Sequence, residues 1–211
     1  MHIKKKERAK IVVERLDEFY PGLDKCYLNF NQPYELLFAT ILSAQCTDDR
    51  VNIVTEVLFK KYKCLDDYAN APIEEIESYV KSTGFFRNKA KGIKESAIML
   101  LENHNGELPS DIESLTKLSG VGRKTANVVR SHIFKIESVV VDTHVKRISN
   151  KLGLTKESDP VKIEFDLMKV LPKDTWIRYN QQVIAHGRKV CTARSPKCDI
   201  CGFFDICVSK K

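Results

Sequence analysis

From Pro33 to Leu42 the chain reads PYELLFATIL, apolar around nearly its whole circumference with proline in the first turn. That pattern predicts a helix buried on every side. Val51, Val54, Val57 and Leu58 follow at the spacing of an amphipathic helix. Ile73 to Val80 predicts another, capped at Gly84. A further helix is expected from Asn88 to Glu102, with Ile93, Ala97, Leu100 and Leu101 inward and Gly106 past its end. Ser110-Asp111-Ile112-Glu113 reads as a capping box with the serine as cap. It opens a short helix that turns Ile112, Leu115 and Leu118 inward. Ala126, Val129 and Ile133 then share one arc of a helix that leaves Arg123, Asn127 and Arg130 outward. Val139-Val140-Val141 is too short to settle as strand or extended connection. Val145, Ile148 and Leu152 resume the helical period up to Gly153. The expectation is an all-α protein, a middle bundle with a lobe that joins the two ends of the chain.

Composition narrows the class. At 211 residues, 43% hydrophobic and 30% charged, the chain suits one domain or two small ones. No apolar run approaches the ~20 residues that cross a bilayer. The start, Met1 to Lys6, is charged and leads into an amphipathic stretch rather than an apolar signal core, so a non-exported protein is expected. Seven cysteines then argue for reduced thiols and one metal site rather than a disulfide framework. Cys26, Cys46 and Cys64 are scattered among apolar neighbours.

The net charge of +7 matters less than its placement. Between Glu113 and Glu157 the only acids are Glu137 and Asp142, against Lys117, Arg123, Lys124, Arg130, Lys135, Lys146, Arg147, Lys151 and Lys156. Ala185 to Cys198 adds Arg188, Lys189, Arg194 and Lys197 with no acid. Such segregation fits a binder of phosphate backbones. A solvated helix face reads the same on charge alone.

Three segments carry candidate chemistry. Ser119-Gly120-Val121-Gly122 joins two helices in a helix-hairpin-helix pattern. Its glycines permit positive φ and leave the amides at the next helix start open to a phosphate; a plain tight turn is the other reading. Asp142, just before a helix start, reads locally as an N-cap. Cys191, Cys198, Cys201 and Cys207 stand in a C-x6-C-x2-C-x5-C spacing. Zinc sites usually bring two C-x2-C pairs, and here there is one, so a single loop wraps one centre. Four thiolates can hold a 4Fe–4S cluster, with zinc the alternative. His144 and His186 read as packed, hydrogen-bonded structural histidines.

Leu118 to Val129 (LSGVGRKTANVV), Val141-Asp142-Thr143-His144, Ser43-Ala44-Gln45, His186-Gly187-Arg188 and the cysteine spacing together resemble the endonuclease III family, iron–sulphur helix-hairpin-helix DNA glycosylases. The resemblance is collinear from about Pro33 to Cys207. It implies a six-helix barrel domain over 26–136, with the hairpin motif at about 110–135. An iron–sulphur domain would be formed by 1–25 plus 137–211, with a DNA-binding cleft between the two. It also implies one 4Fe–4S cluster on the four cysteines.

The implied activity is a bifunctional DNA glycosylase and abasic-site lyase of base excision repair. It would remove oxidised pyrimidines from double-stranded DNA and cut 3′ to the abasic site by β-elimination through a lysine Schiff base. Lys124 would be the nucleophile, and Asp142 the carboxylate that accepts a proton and stabilises oxocarbenium character. Gln45 would pair with the orphaned base and Phe85 would wedge the duplex open. Gly120, Gly122, Arg123, Arg188, Arg194 and Lys197 would contact DNA. The same resemblance implies a monomer without membrane attachment, cytoplasmic and associated with the nucleoid.

A nucleophilic lysine must be neutral, whereas an ordinary one, with a pKa of about 10.4, is almost wholly charged at neutral pH. Partial burial in a cleft wall is therefore expected of Lys124. One departure stands out: the family hairpin has proline where this chain has Ser119. That should loosen the turn by ~0.4–1 kcal/mol through the unfolded state. Two other functions remain: a catalytically silent DNA-binding module, which retention of Lys124 and Asp142 opposes, and a monofunctional adenine or mismatch glycosylase, whose members commonly lack this lysine.

Overall fold

The computed structural model describes residues 3–23 and 26–209. Met1 and His2, at the head of the charged start, lie outside the described residues. Among these residues all regular structure is helical: α1 (Lys5–Phe19), α2 (Pro33–Leu42), α3 (Asp48–Lys61), α4 (Leu65–Asn70), α5 (Ile73–Val80), α6 (Phe86–His104), α7 (Ile112–Lys117), α8 (Arg123–His132), α9 (Thr143–Lys151), α10 (Pro160–Val170) and α11 (Trp176–Lys189). Val139, Val140 and Val141 are buried but form no strand. The Asn180 side-chain amide donates to the Val140 carbonyl at 3.1 Å instead of a ladder partner. Two compact units result: Cys26–Ile136, and Met1–Lys25 with Glu137–Lys211.

The heart of the central unit is α2, whose Leu36, Leu37, Phe38, Ala39 and Leu42 are fully buried. Pro33 takes the first helical position, where its missing N–H is no loss. The Glu35 carboxylate accepts from the Asn31 and Gln32 amides at 2.6 and 2.9 Å, satisfying donors that the helix start leaves open. Around α2 pack α3, α6 and α8, and α6 is flanked by α4 and α5. Helix α6 is longer than the sequence pattern suggests, because Phe86 already packs inward and only Asn105, left-handed at φ 52°, ends it. Two other expectations are corrected. Val57 faces out, 53% exposed, because the inward stripe of α3 is Val51, Val54, Thr55 and Leu58. Asn127, expected outside, is 1% exposed beside buried Ala126. Its burial is tolerated because the side-chain oxygen accepts from Arg130 at 3.3 Å and its carbonyl from the Ser131 hydroxyl at 2.8 Å.

The terminal unit is built from both ends of the chain. Helix α11 packs against α9 and α1, and α1 packs against α10. Charged forks close the joint. Arg15 on α1 grips Asp205 at 2.5 and 2.8 Å and donates to the Gly202 carbonyl at 2.7 Å. Arg178 on α11 grips Asp17 on α1 at 2.9 and 3.1 Å. Such bidentate pairs fix geometry as well as adding energy. The Arg15 guanidinium holds the Asp205 carboxyl down to about 2. Phe19 meets Phe203 edge to face, and the Val208 amide donates to the Lys151 carbonyl at 2.9 Å.

Gly187 lets α11 approach α9. A methyl group there would lie 2.3 Å from His144 Nδ1 and 3.0 Å from Ile148 Cδ1. Gly187→Ala is therefore expected to destabilise the terminal unit by ~1–3 kcal/mol through overpacking. Thermal unfolding followed by circular dichroism should show a midpoint several degrees lower; an unchanged midpoint would contradict the close approach.

Candidate active site

The hairpin is assembled from the outside in. Helix α7 is capped by Asp111, not Ser110: the Ser114 amide donates to Asp111 Oδ1 at 2.8 Å. A carboxylate one residue further on is as good a cap and adds favourable charge at the helix start. Ser110 instead lends its carbonyl to Arg130 Nε at 3.3 Å. After Lys117 the chain turns through Leu118, which is buried and whose carbonyl accepts from the Val121 amide at 3.1 Å. Gly120 lies at φ 74°, as the glycine argument requires.

It also faces Gly92 on α6. A side chain on Gly120 would stand 3.4 Å from the Gly92 Cα, and one on Gly92 would stand 3.4 Å from the Ser119 carbonyl oxygen. Sequence reasoning missed Gly92, although an isolated glycine inside a helical pattern signals close packing.

Ser119 is anchored rather than loose. Its hydroxyl donates to Glu95 Oε2 at 2.7 Å, and its carbonyl accepts from the Ser96 hydroxyl at 2.8 Å. A proline could not make the hydroxyl contact. The entropic loosening expected from its absence is thus opposed by a hydrogen bond to a charged group, worth ~1.5–3 kcal/mol.

Gly122, the N-cap of α8, has no atom within 4 Å of where a side chain would sit. A glycine at this cap leaves no side chain beside the start of a ten-residue helix, and helix starts favour anions. Arg123 and Lys124 occupy the first turn. Lys124 is exposed, not half-buried as expected, because the inward arc of α8 begins only at Ala126. Its positive charge reaches Cys26, whose thiol burial pushes up while the Leu28 amide and Lys124 pull it down.

In the terminal unit Asp142 caps α9, accepting from the Val145 amide at 2.7 Å through Oδ1. Gln45 and Phe85, in the central unit, both take left-handed backbone conformations, φ 54° and 48°. Both are exposed; Phe85 is 65% exposed and so is no core residue. Non-glycine residues there cost about 1–3 kcal/mol each and persist where the surroundings enforce them. Arg188, Arg194 and Lys197 are exposed, and Arg123 is partly so.

All four C-terminal cysteines line one cavity with Lys151, Val190, Pro196, Lys197 and Phe204. Burial raises the Cys201 thiol, and Cys191, Cys207 and Cys198 raise it further, so the four sulphurs share one neighbourhood. Arg147 donates to the Cys191 carbonyl and comes within 3.5 Å of its sulphur. Cys207 donates to the Lys151 carbonyl at 3.4 Å. His186 is buried, bonded to Tyr20 Oη at 3.0 Å, 3.7 Å from the Cys201 sulphur, and lowered to about 4 by burial and Arg147. Among the described residues no three acidic, histidine or cysteine groups converge tightly enough for a single ion. Four cysteines around one cavity are the donor set that holds a 4Fe–4S cluster.

A family model described as HhH-GPD superfamily base excision DNA repair protein matches residues 38–173. A second, the iron-sulfur binding domain of endonuclease III, matches residues 191–207. Endonuclease III of Synechocystis sp. is 50% identical over 206 residues, covering 97% of this chain and 94% of the relative. That of Bacillus subtilis is 42% identical, covering 95% and 92%. A solved structure of a trapped endonuclease III–DNA covalent intermediate superposes with a TM-score of 0.93 at 41% identity, covering 98% of this chain and 97% of that one. The chain belongs to the HhH-GPD superfamily of base excision DNA repair proteins and, within it, to the endonuclease III family. It carries one 4Fe–4S cluster.

Ser119→Ala is expected to lower the unfolding midpoint by several degrees, with Glu95→Gln giving a smaller loss. Equal stability of wild type and Ser119→Ala would show that the hydroxyl contributes nothing. Cys201→Ser should lose visible absorbance and most bound iron, measured by elemental analysis. Full iron retention would exclude it as a ligand.

Proposed function

We propose that this protein is a DNA glycosylase with abasic-site lyase activity in base excision repair, acting on oxidised pyrimidines and abasic sites in double-stranded DNA. The observation that carries the reading is the position of Lys124, exposed in the first turn of α8 directly after the Gly120-Val121-Gly122 turn. The hairpin amides and the α8 dipole hold a backbone phosphate. Phe85 enters the base stack and Gln45 takes the partner of the extruded nucleotide, offsetting the few kcal/mol that unstacking requires.

The Lys124 amine attacks C1′ of the deoxyribose as the glycosidic bond to the damaged base breaks. The base leaves with the electron pair and takes up a proton. The carboxylate of Asp142 accepts a proton and stabilises the positive sugar. Ring opening yields an imine between Lys124 and C1′. Loss of a C2′ proton then expels the 3′ phosphate by β-elimination. Arg188, Arg194 and Lys197 supply phosphate contacts, which makes binding salt-dependent. The cluster stays out of the chemistry, since hydrolysis and elimination need no electron transfer; it shapes the loop that carries Arg194 and Lys197.

We place the enzyme as a monomer in the cytoplasm, on nucleoid DNA. That none of the seven cysteines forms a disulfide supports that reading.

Borohydride reduction with an abasic-site duplex should trap a covalent protein–DNA adduct with wild type and none with Lys124→Gln. Asp142→Asn should slow base release by about 10²–10⁴-fold, the usual worth of a proton-transfer group. An undiminished adduct with Lys124→Gln would overturn the assignment. A chain that binds duplex but never traps would be a silent DNA-binding module.

A further inference from the structure

Lys89 is an unusual residue to find in the wall of the central unit. It is 5% exposed, and burial lowers its pKa. A buried ammonium is tolerated only with a specific partner. Its Nζ donates to the Thr83 carbonyl at 2.7 Å, and its backbone amide donates to the Phe85 carbonyl at 3.2 Å. The side chain thus grips the residue before Gly84, and the ordinary opening bond of α6 holds the residue after it. Between those grips lie Gly84 at φ 70° and Phe85 at φ 48°, the latter presenting an aromatic ring to solvent.

The rest of the loop is fixed as well. Thr83 is buried, and its hydroxyl donates to the Val80 carbonyl at 2.8 Å. The 3-10 turn Lys81–Thr83 packs against α3, α5 and α6. Helix α3 follows Gln45, Cys46 and Thr47 directly, and the Cys46 thiol is close enough to raise the Lys89 amine against the effect of burial. A buried charge, a strained non-glycine residue and an exposed aromatic ring are each unfavourable for folding. Here they fall within seven residues, the concentration expected where function overrides stability.

We propose that Lys89 is a positioning residue for duplex opening: it holds the Thr83–Phe85 loop so that the Phe85 ring is set for insertion before DNA arrives. The inference rests on the DNA glycosylase reading above. Preorganisation is its physical content, because a loop already in its inserting conformation does not have to be ordered during base extrusion. Lys89 is buried with its amine on the Thr83 carbonyl, so its removal should affect extrusion and leave the chemistry at C1′ intact.

Single-turnover base release and strand cleavage, measured on two substrates, test this. One carries the lesion in fully paired duplex. The other carries it in a bubble of unpaired bases, where stacking is already broken. Lys89→Met is expected to slow the paired substrate by about tenfold, equivalent to ~1.4 kcal/mol, and to leave the bubble rate near wild type. Combined with Phe85→Ala it should slow the paired substrate no more than Phe85→Ala alone, since both act through one ring.

Equal slowing on both substrates, no slowing on either, or additive loss in the double variant would overturn the proposal. Should Lys89→Met fail to fold by circular dichroism, Lys89→Arg applies the same criteria. It keeps the charge but cannot place a single donor at the same carbonyl. Wild-type borohydride trapping separates the two levels. Absence of the wild-type adduct refutes the enzyme reading, whereas trapping with no selective duplex defect refutes only the role of Lys89.

Discussion

The geometry of the hairpin depends on a contact that contains no side chain. Gly92 on α6 and Gly120 in the turn meet backbone to backbone, each standing where a side chain on the other would come into van der Waals contact. Gly120 is further fixed by its φ of 74°, a conformation that side chains rarely adopt. The turn fixes where α8 begins, and the start of α8 fixes Arg123 and Lys124. A backbone-to-backbone contact has few ways to relax, so it sets position more tightly than two flexible side chains would. The hydroxyl bridges from Ser96 and Ser119 brace the turn against the same helix. The proposed nucleophile sits on that exposed first turn, and small misplacements of a reacting group carry large kinetic penalties.

How far this was legible in the sequence varies with the kind of signal. Glycine at Gly120 and Gly122, cap chemistry near α7 and the buried run of α2 are local signals, and each predicted an element that formed. The cap itself moved from Ser110 to Asp111, because two adjacent good capping residues cannot be ranked without the chain direction. Asn127 and Val57 were misplaced for a related reason. Helical spacing gives an arc but not the angular width of the buried face. Glu95 and Lys89 were not legible because the groups they meet depend on how the chain folds back, whereas Gly92 carried a signal that went unused. Nothing in the neighbourhood of Lys89 says that its amine will reach the Thr83 carbonyl.

Ser119 shows how a departure from a family pattern can mislead when judged alone. Loss of proline was judged only by its effect on the unfolded chain, which is the term a sequence can supply. The folded-state term, a hydroxyl bonded to Glu95, has the opposite sign and at least comparable size. The same Glu95 also lies 3.7 Å from Lys91 on the exposed side of α6, a pair screened by water and of little weight beside the Ser119 contact.

The exposure of Lys124 bears on what the proposed chemistry asks of the fold. A permanently buried lysine would be held neutral at a standing cost to stability, and it could react with any small carbonyl compound that entered its pocket. An exposed one carries neither cost. The demand on the fold is then rigidity of the turn rather than burial of the lysine, and rigidity is what the paired glycines supply.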